Sequence, residues 1–220
     1  IDFTRKEGGS AVKAVMFKSY ANNLSFDPKN GMEVIVRCSV SLYEKDGTYQ
    51  IYVYEIENYG AGKLFAEYKK LAEKLKLEGL FDEEHKKQIP QYPEKIAAIT
   101  SPVGAALQDI LNVLKRRYPI VDVSLFPVKV QGDGAAEEII YALSLADNGD
   151  YDTIINARSR GSIEHLWEFN NEHLARKIFT CKTPLISAVG HETDITICDM
   201  VSDLRAPTPS AGAELMVPNI

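Results

Sequence analysis

The sequence is poor in the residues that usually mark a metalloenzyme, a disulfide scaffold or a membrane protein. It has three cysteines, Cys38, Cys181 and Cys198, none at CxxC or metal-ligand spacing. That argues against a disulfide framework or a zinc site, and for buried thiols in a reducing, cytoplasmic compartment. No apolar run reaches the roughly 20 residues a spanning helix needs. No signal-peptide pattern is present either, so no membrane partner is expected. There is no GxxxxGK[ST], no GxGxxG, no HExxH and no carboxylate cluster with two-metal spacing. No metal site and no required cofactor is therefore expected; magnesium is possible but is not predicted from the sequence. Net basicity is missing too: the formal charge is −6. This argues against a generally basic nucleic-acid coat but leaves room for a local basic groove. Lys115-Arg116-Arg117 and the Arg158/Arg160 pair are the local candidates, and the first reads more simply as a solvated helix end.

What is present is ordinary for a globular chain: 45% hydrophobic and 25% charged residues, with enough length for one or two domains. The first residue is Ile1, inside a strand-like pattern, which reads as a piece cut from a longer protein. Val12–Met16, Glu33–Leu42 and Tyr49–Glu57 alternate or are rich in β-branched and aromatic residues. Asp27-Pro28, Asn30-Gly31 and Asp46-Gly47 supply turns between them. Residues 1–58 thus read as a small antiparallel barrel. Tyr43, Tyr49, Tyr52 and Tyr54 are plentiful there, but alternate tyrosines in a strand read as packing, and none is assigned to base stacking. Ala61–Gly79 has helical spacing, and the charged stretch Phe81–Pro93, with two prolines, reads as a linker. Residues 59–95 form the helical connection in this reading.

From Ile96 the pattern becomes strand, helix, strand, helix. Strands are expected at Ile96–Thr100, Val121–Val128, Thr153–Ala157 and Leu185–Val189. Helices are expected at Gly104–Arg117, Ala135–Ala146, Ile163–Thr180 and Asp194–Leu204. Such repeats imply an α/β domain over 96–220, a parallel sheet with helices on both faces.

Three strand ends carry polar groups that can meet at one sheet edge. Ser101 to Ala106 leads into a helix with small residues, leaving backbone N–H groups for an anion; alternatively it is an ordinary tight turn. Asp109 lies in that helix's second turn. Arg158-Ser159-Arg160-Gly161-Ser162 follows the third strand, and an arginine fork suits phosphate oxygens. Trp167, the single tryptophan, reads as core packing. His191 and Asp194 follow the fourth strand; if a helix starts there, their spacing puts both on one face. A histidine beside a carboxylate can shuttle a proton near neutral pH, although a helix start with a surface histidine is the plainer alternative.

The wording of these stretches resembles one family, the large subunit of exodeoxyribonuclease VII. SAVGHETD followed by DLRAPTPSA carries the resemblance most specifically. ITSPVGAALQDILNVLKRRYP, QGDGAAEEI, GSIEHLWEFNNE and the earlier GMEVIVRCSVSLYEKDGTYQIYVYEIE stand in the family's order and spacing. The resemblance implies a partial oligonucleotide-binding barrel, of OB type, ahead of an α/β catalytic domain. It implies hydrolysis of single-stranded DNA from either end to short oligonucleotides, without a required metal. It maps the family's functional residues onto Asp109, Arg158, His191 and Asp194, with Ser101, Gly104, Gly161 and Ser162 around the substrate phosphate. It implies small subunits as partners, held by helices beyond this chain. The sequence departs from the family at Ser159 and Arg160, where glycines are usual, and at His165, where an acid is usual. Those departures keep two other classes open: a non-catalytic DNA-binding module, and a phosphate-ester enzyme acting on small molecules.

Overall fold

The computed structural model describes residues 2–4, 11–22, 24, 28, 34–43, 47–159, 163–190 and 194–219. They divide into two compact units, Ile1–Ala66 and Glu67–Ile220.

The first unit holds strands β1 (Asp2–Thr4), β2 (Ala11–Met16), β3 (Val34–Tyr43) and β4 (Thr48–Asn58), with a one-turn helix α1 (Lys18–Ala21). The order is β1-β2-β4-β3. The expected all-antiparallel pairing is corrected at one place: β2 pairs with β4 in parallel. β3 runs opposite to β2, and the hairpin turn at Gly47 reverses the chain again, so β4 runs the same way as β2 and pairs beside it. Ala14, Ile51, Val53 and Ile56 form the small core. Tyr52 stacks on Phe17 at 5.8 Å between ring centroids, and Tyr54 meets Tyr20 edge-on at 5.4 Å, so these two rings pack within the unit. The turn expected at Asn30-Gly31 lies outside the described residues.

Helix α2 (Tyr59–Leu77) begins before the second unit, and its residues Tyr68, Leu71, Ala72 and Leu75 join the core of that unit. The Phe81–Pro93 segment is anchored rather than loose. Leu80 and Pro93 are buried, and the Lys87 backbone N–H donates to Asp203 at 2.7 Å. Then follow β5 (Lys95–Thr100), α3 (Ala105–Arg117), β6 (Asp122–Pro127), α4 (Ala135–Asp147), β7 (Thr153–Ala157), α5 (Glu172–Thr180), β8 (Leu185–Ala188), α6 (Ile197–Val201), β9 (Leu204–Arg205) and α7 (Pro209–Met216). The five strands run parallel in the order β6-β5-β7-β8-β9. Ala97, Ile99, Ile154 and Leu185 face α4, α5 and α6. Ile96, Ala98, Ile155 and Ile186 face α3 and α7. The central strands are apolar on both faces because helices cover both.

Three expected elements differ. Residues 163–180 are not one helix: Ile163–Asn170 is 3-10, and Asn171 then caps α5, accepting from the His173 and Leu174 N–H groups at 2.8 and 3.2 Å. Leu166 and Phe169 fill the core there, while Trp167 is only half-buried. The helix expected over 194–204 is the short α6. Thr196 and Asp199 form a capping box that fixes its start at Ile197. Asp194 therefore precedes the helix. Finally, Thr208 caps α7 with Pro209 in its first turn, so the proline-rich stretch opens a helix the apolar periodicity did not reveal. The cysteines are free; Cys181 and Cys198 are buried as expected, but Cys38 is exposed.

Candidate active site

Helix α3 follows β5 and helix α5 follows its neighbour β7, and the two cover opposite faces of the sheet. The connections therefore run in opposite directions from β5 and β7, and a crevice opens at their carboxyl ends. A cleft of about 400 Å³ occupies that place, lined by Ser101, Gly104, Lys129, Val130, Gln131, Arg158 and Ser159.

Arg158 is the central group. It follows β7 directly, its backbone N–H donates to the Ala188 carbonyl at 3.2 Å, and the residue is only 3% exposed. Its Nη2 donates to Gln131 Oε1 at 3.2 Å, while Nη1 is buried without a hydrogen-bond partner. No carboxylate pairs with it among the described residues. Burial pulls the guanidinium below its ordinary pKa, yet arginine keeps its charge in proteins. A buried cation with one neutral partner and a free donor at a cleft wall is an anion site in chemical terms. Across the cleft, Gly104 precedes α3 with no side chain capping the helix, so the first backbone N–H groups of α3 and its dipole face the same space.

Ser101, Gly104 and Arg158 are thus brought together. Asp109 is not: it lies half-buried one turn further along α3, outside the cleft lining. Asp194 is exposed, with its carbonyl packed against Gly190. His191, Arg160, Gly161 and Ser162 lie outside the described residues, as does the His165 side chain. Lys115, Arg116 and Arg117 form the last turn of α3, at the sheet edge opposite the cleft, where their charge suits the helix dipole.

Sequence reasoning missed Lys129 and Gln131 in the loop after β6. A signal existed, since that loop leaves the strand beside β5 at the same edge. It missed Asp199 as well. This carboxylate is 3% exposed and accepts from Ser187 Oγ at 2.6 Å, from the Thr196 N–H at 2.9 Å and from Thr196 Oγ1 at 2.8 Å. Its charge, after burial, helps push the Tyr68 hydroxyl above the usual tyrosine range. Burial likewise pushes the Cys181 thiol up to about 12, helped by its bond to Asp147, so this thiol is inert at neutral pH. Beside Ser187 in the register stands Asn156, fully buried, with neither amide atom hydrogen-bonded. Thr100 Oγ1, at the end of β5, is in the same condition.

Known proteins give this geometry its context. Residues 80–220 match the family model described as exonuclease VII, large subunit, and residues 3–57 match that of an OB-fold nucleic acid binding domain. The chain is 53% identical over 218 residues to the exodeoxyribonuclease 7 large subunit of Clostridium botulinum strain Hall, covering 99% of this chain and 54% of that protein. It is 52% identical over 219 residues to its counterpart from Caldanaerobacter subterraneus, and over 216 residues to that from Oceanobacillus iheyensis, covering 54% and 48% of those proteins. The chain spans about half the length of the curated relatives it matches. The cleft, from Ser101 to Ser159, falls wholly within the matched range, and on that match the chain belongs to the family of the exonuclease VII large subunit.

Proposed function

We propose that this chain carries the catalytic core of a nuclease that hydrolyses phosphodiester bonds of single-stranded DNA from either end, releasing short oligonucleotides. The observation that carries the reading is the buried Arg158 with an unpartnered Nη1 at the switch-point cleft. A scissile phosphate seated there meets Arg158 on one side and the uncapped start of α3 on the other. Both donors are fixed before substrate arrives, so they stabilise the charge that grows on the phosphoryl oxygens without reorganising. Ser101 and Gly104 shape the near wall, and Gly161 and Ser162 continue the Arg158 loop.

His191 moves the proton, as base for the attacking water or as acid for the leaving oxygen, and Asp194 orients it. Asp109 has the least support; its role is to position water or a second proton. The division of labour runs along the chain: residues 1–58 bind the single strand as an OB-type barrel, 59–95 connect, and 96–220 cut. The proton and charge roles are filled by His191 and Arg158, so no cofactor is assigned. Small subunits are the protein partners, engaged by chain beyond this one, and the setting is the cytoplasm. No helix among the described residues is long and apolar enough to cross a membrane.

The test is His191→Ala in the full-length protein with end-labelled single-stranded DNA. Single-turnover cleavage should fall by about 10²–10⁴ while DNA binding is kept. A folded variant that cuts at the parent rate removes His191 from the mechanism. Binding without cleavage by the parent would favour the non-catalytic module, and neither would favour a small-molecule ester.

A further inference from the structure

We infer that Asp199 is a positioning residue, whose carboxylate ties Ser187 on β8 to Thr196, on either side of His191 in the sequence, and so acts through His191. The inference rests on the reading of His191 as the proton-transfer residue.

The loop is bounded by Gly190, the residue before His191, and by Thr196, two residues after Asp194. Asp199 holds both sides of it. One carboxylate oxygen takes the Ser187 hydroxyl, on β8 three residues before Gly190. The other takes both the backbone N–H and the hydroxyl of Thr196. The loop ends are pressed together over this carboxylate. A Cβ added at Gly190 would collide with the Asp194 carbonyl oxygen and with Asp199 Oδ2. Two outer contacts close the frame: the Tyr68 hydroxyl donates to the Ile195 carbonyl at 3.0 Å, and Arg205 Nη2 donates to the Gly190 carbonyl at 3.4 Å.

Capping α6 does not explain this arrangement. A capping box needs one oxygen of the acid. Here the second oxygen is spent on Ser187, itself fully buried, and the carboxylate has no lysine or arginine ion pair among the described residues. A buried carboxylate held only by hydrogen bonds is an expensive way to stabilise a fold. It is a suitable way to hold Ser187 and Thr196 in one arrangement, because both carboxylate oxygens are engaged, one by the strand and the other by the helix start. The same buried floor continues to Asn156, in register with Ser187.

The experiment is a double-mutant cycle in the full-length protein. Asp199→Asn and Ser187→Ala are each made alone and in combination with His191→Ala. Single-turnover cleavage at saturating single-stranded DNA and DNA affinity are measured for all six proteins. Positioning predicts that each single change lowers the cleavage constant at least about tenfold, with affinity within about twofold, and that neither costs more than about twofold further once His191 is absent. Equal fold losses with and without His191 would mean Asp199 merely supports the fold and would overturn the inference, as would no loss at all. Where Asp199→Asn does not fold, Ser187→Ala, which removes one hydroxyl, completes the cycle. If His191→Ala alone cuts at the parent rate, the reading of His191 has failed and takes the inference with it. If His191→Ala is crippled and the losses are additive, only the inference has failed.

Discussion

Replacing Arg158 by methionine should make the second unit more stable and the enzyme far slower. The guanidinium is 3% exposed, has no carboxylate partner among the described residues and makes one hydrogen bond, to the neutral Gln131. Losing a hydrogen bond from a charged donor costs about 1.5–3 kcal/mol. Relieving the burial of an uncompensated cation returns several kcal/mol, on the order of 3–5. Methionine keeps a side chain of comparable length to fill the space, so the cavity term is small. The net is a gain of up to about 3.5 kcal/mol, which for a unit of this size raises its melting temperature by up to about 14 °C. Differential scanning calorimetry of the parent and Arg158→Met reads it directly. Added inorganic phosphate should raise the melting temperature of the parent only, because the anion binds the native cleft through Arg158. The same change should lower single-turnover cleavage by about 10²–10³ in the full-length protein, the usual cost of removing one donor to a developing oxyanion. A lower melting temperature for Arg158→Met, or an equal response to phosphate, would refute the reasoning: the guanidinium would then be compensated where it lies.

Gly190→Ala sets a methyl against the Asp194 carbonyl and the Asp199 carboxylate, so these groups must shift; cleavage should be lost with the melting temperature lowered by only a few degrees, and parent-level cleavage would contradict the close approach. Gly212→Ala sets a methyl 2.9 Å from Ile155 Cδ1 and 3.1 Å from Ala188 Cβ, so overpacking of α7 on the sheet should cost about 1–3 kcal/mol in urea unfolding. Restoring glycine at positions 159 and 160 of the full-length protein should raise the cleavage rate, with DNA binding equal or slightly weaker and less salt-dependent for the lost charge; unchanged cleavage would make these substitutions neutral.

The α/β unit was legible because its strands are short apolar runs set between helical periods. Thr153–Ala157 was placed to the residue, since burial on both faces leaves no polar position to blur it. The position of the cleft was legible for the same reason, as strand order alone puts it at a carboxyl edge. What was hidden depends on hydrogen bonds between residues distant in sequence. Nothing in the spacing of Ser187 and Asp199 announces that one carboxylate joins a strand to a helix cap. The break at Asn171 was hidden by an apolar period that continues through it, and a side-chain cap overrode the period. The parallel pairing of β2 with β4 depends on β4 lying between β2 and β3 in the sheet, which local alternation cannot encode.

The most direct test of the central claim is a crystal structure of the full-length His191→Ala protein with a short single-stranded oligonucleotide. The account predicts a backbone phosphate in the cleft between β5 and β7, with a non-bridging oxygen on Arg158 Nη1 and another facing the first N–H groups of α3. A strand that crosses the protein with its phosphates elsewhere, leaving Arg158 Nη1 without an anion, would contradict it.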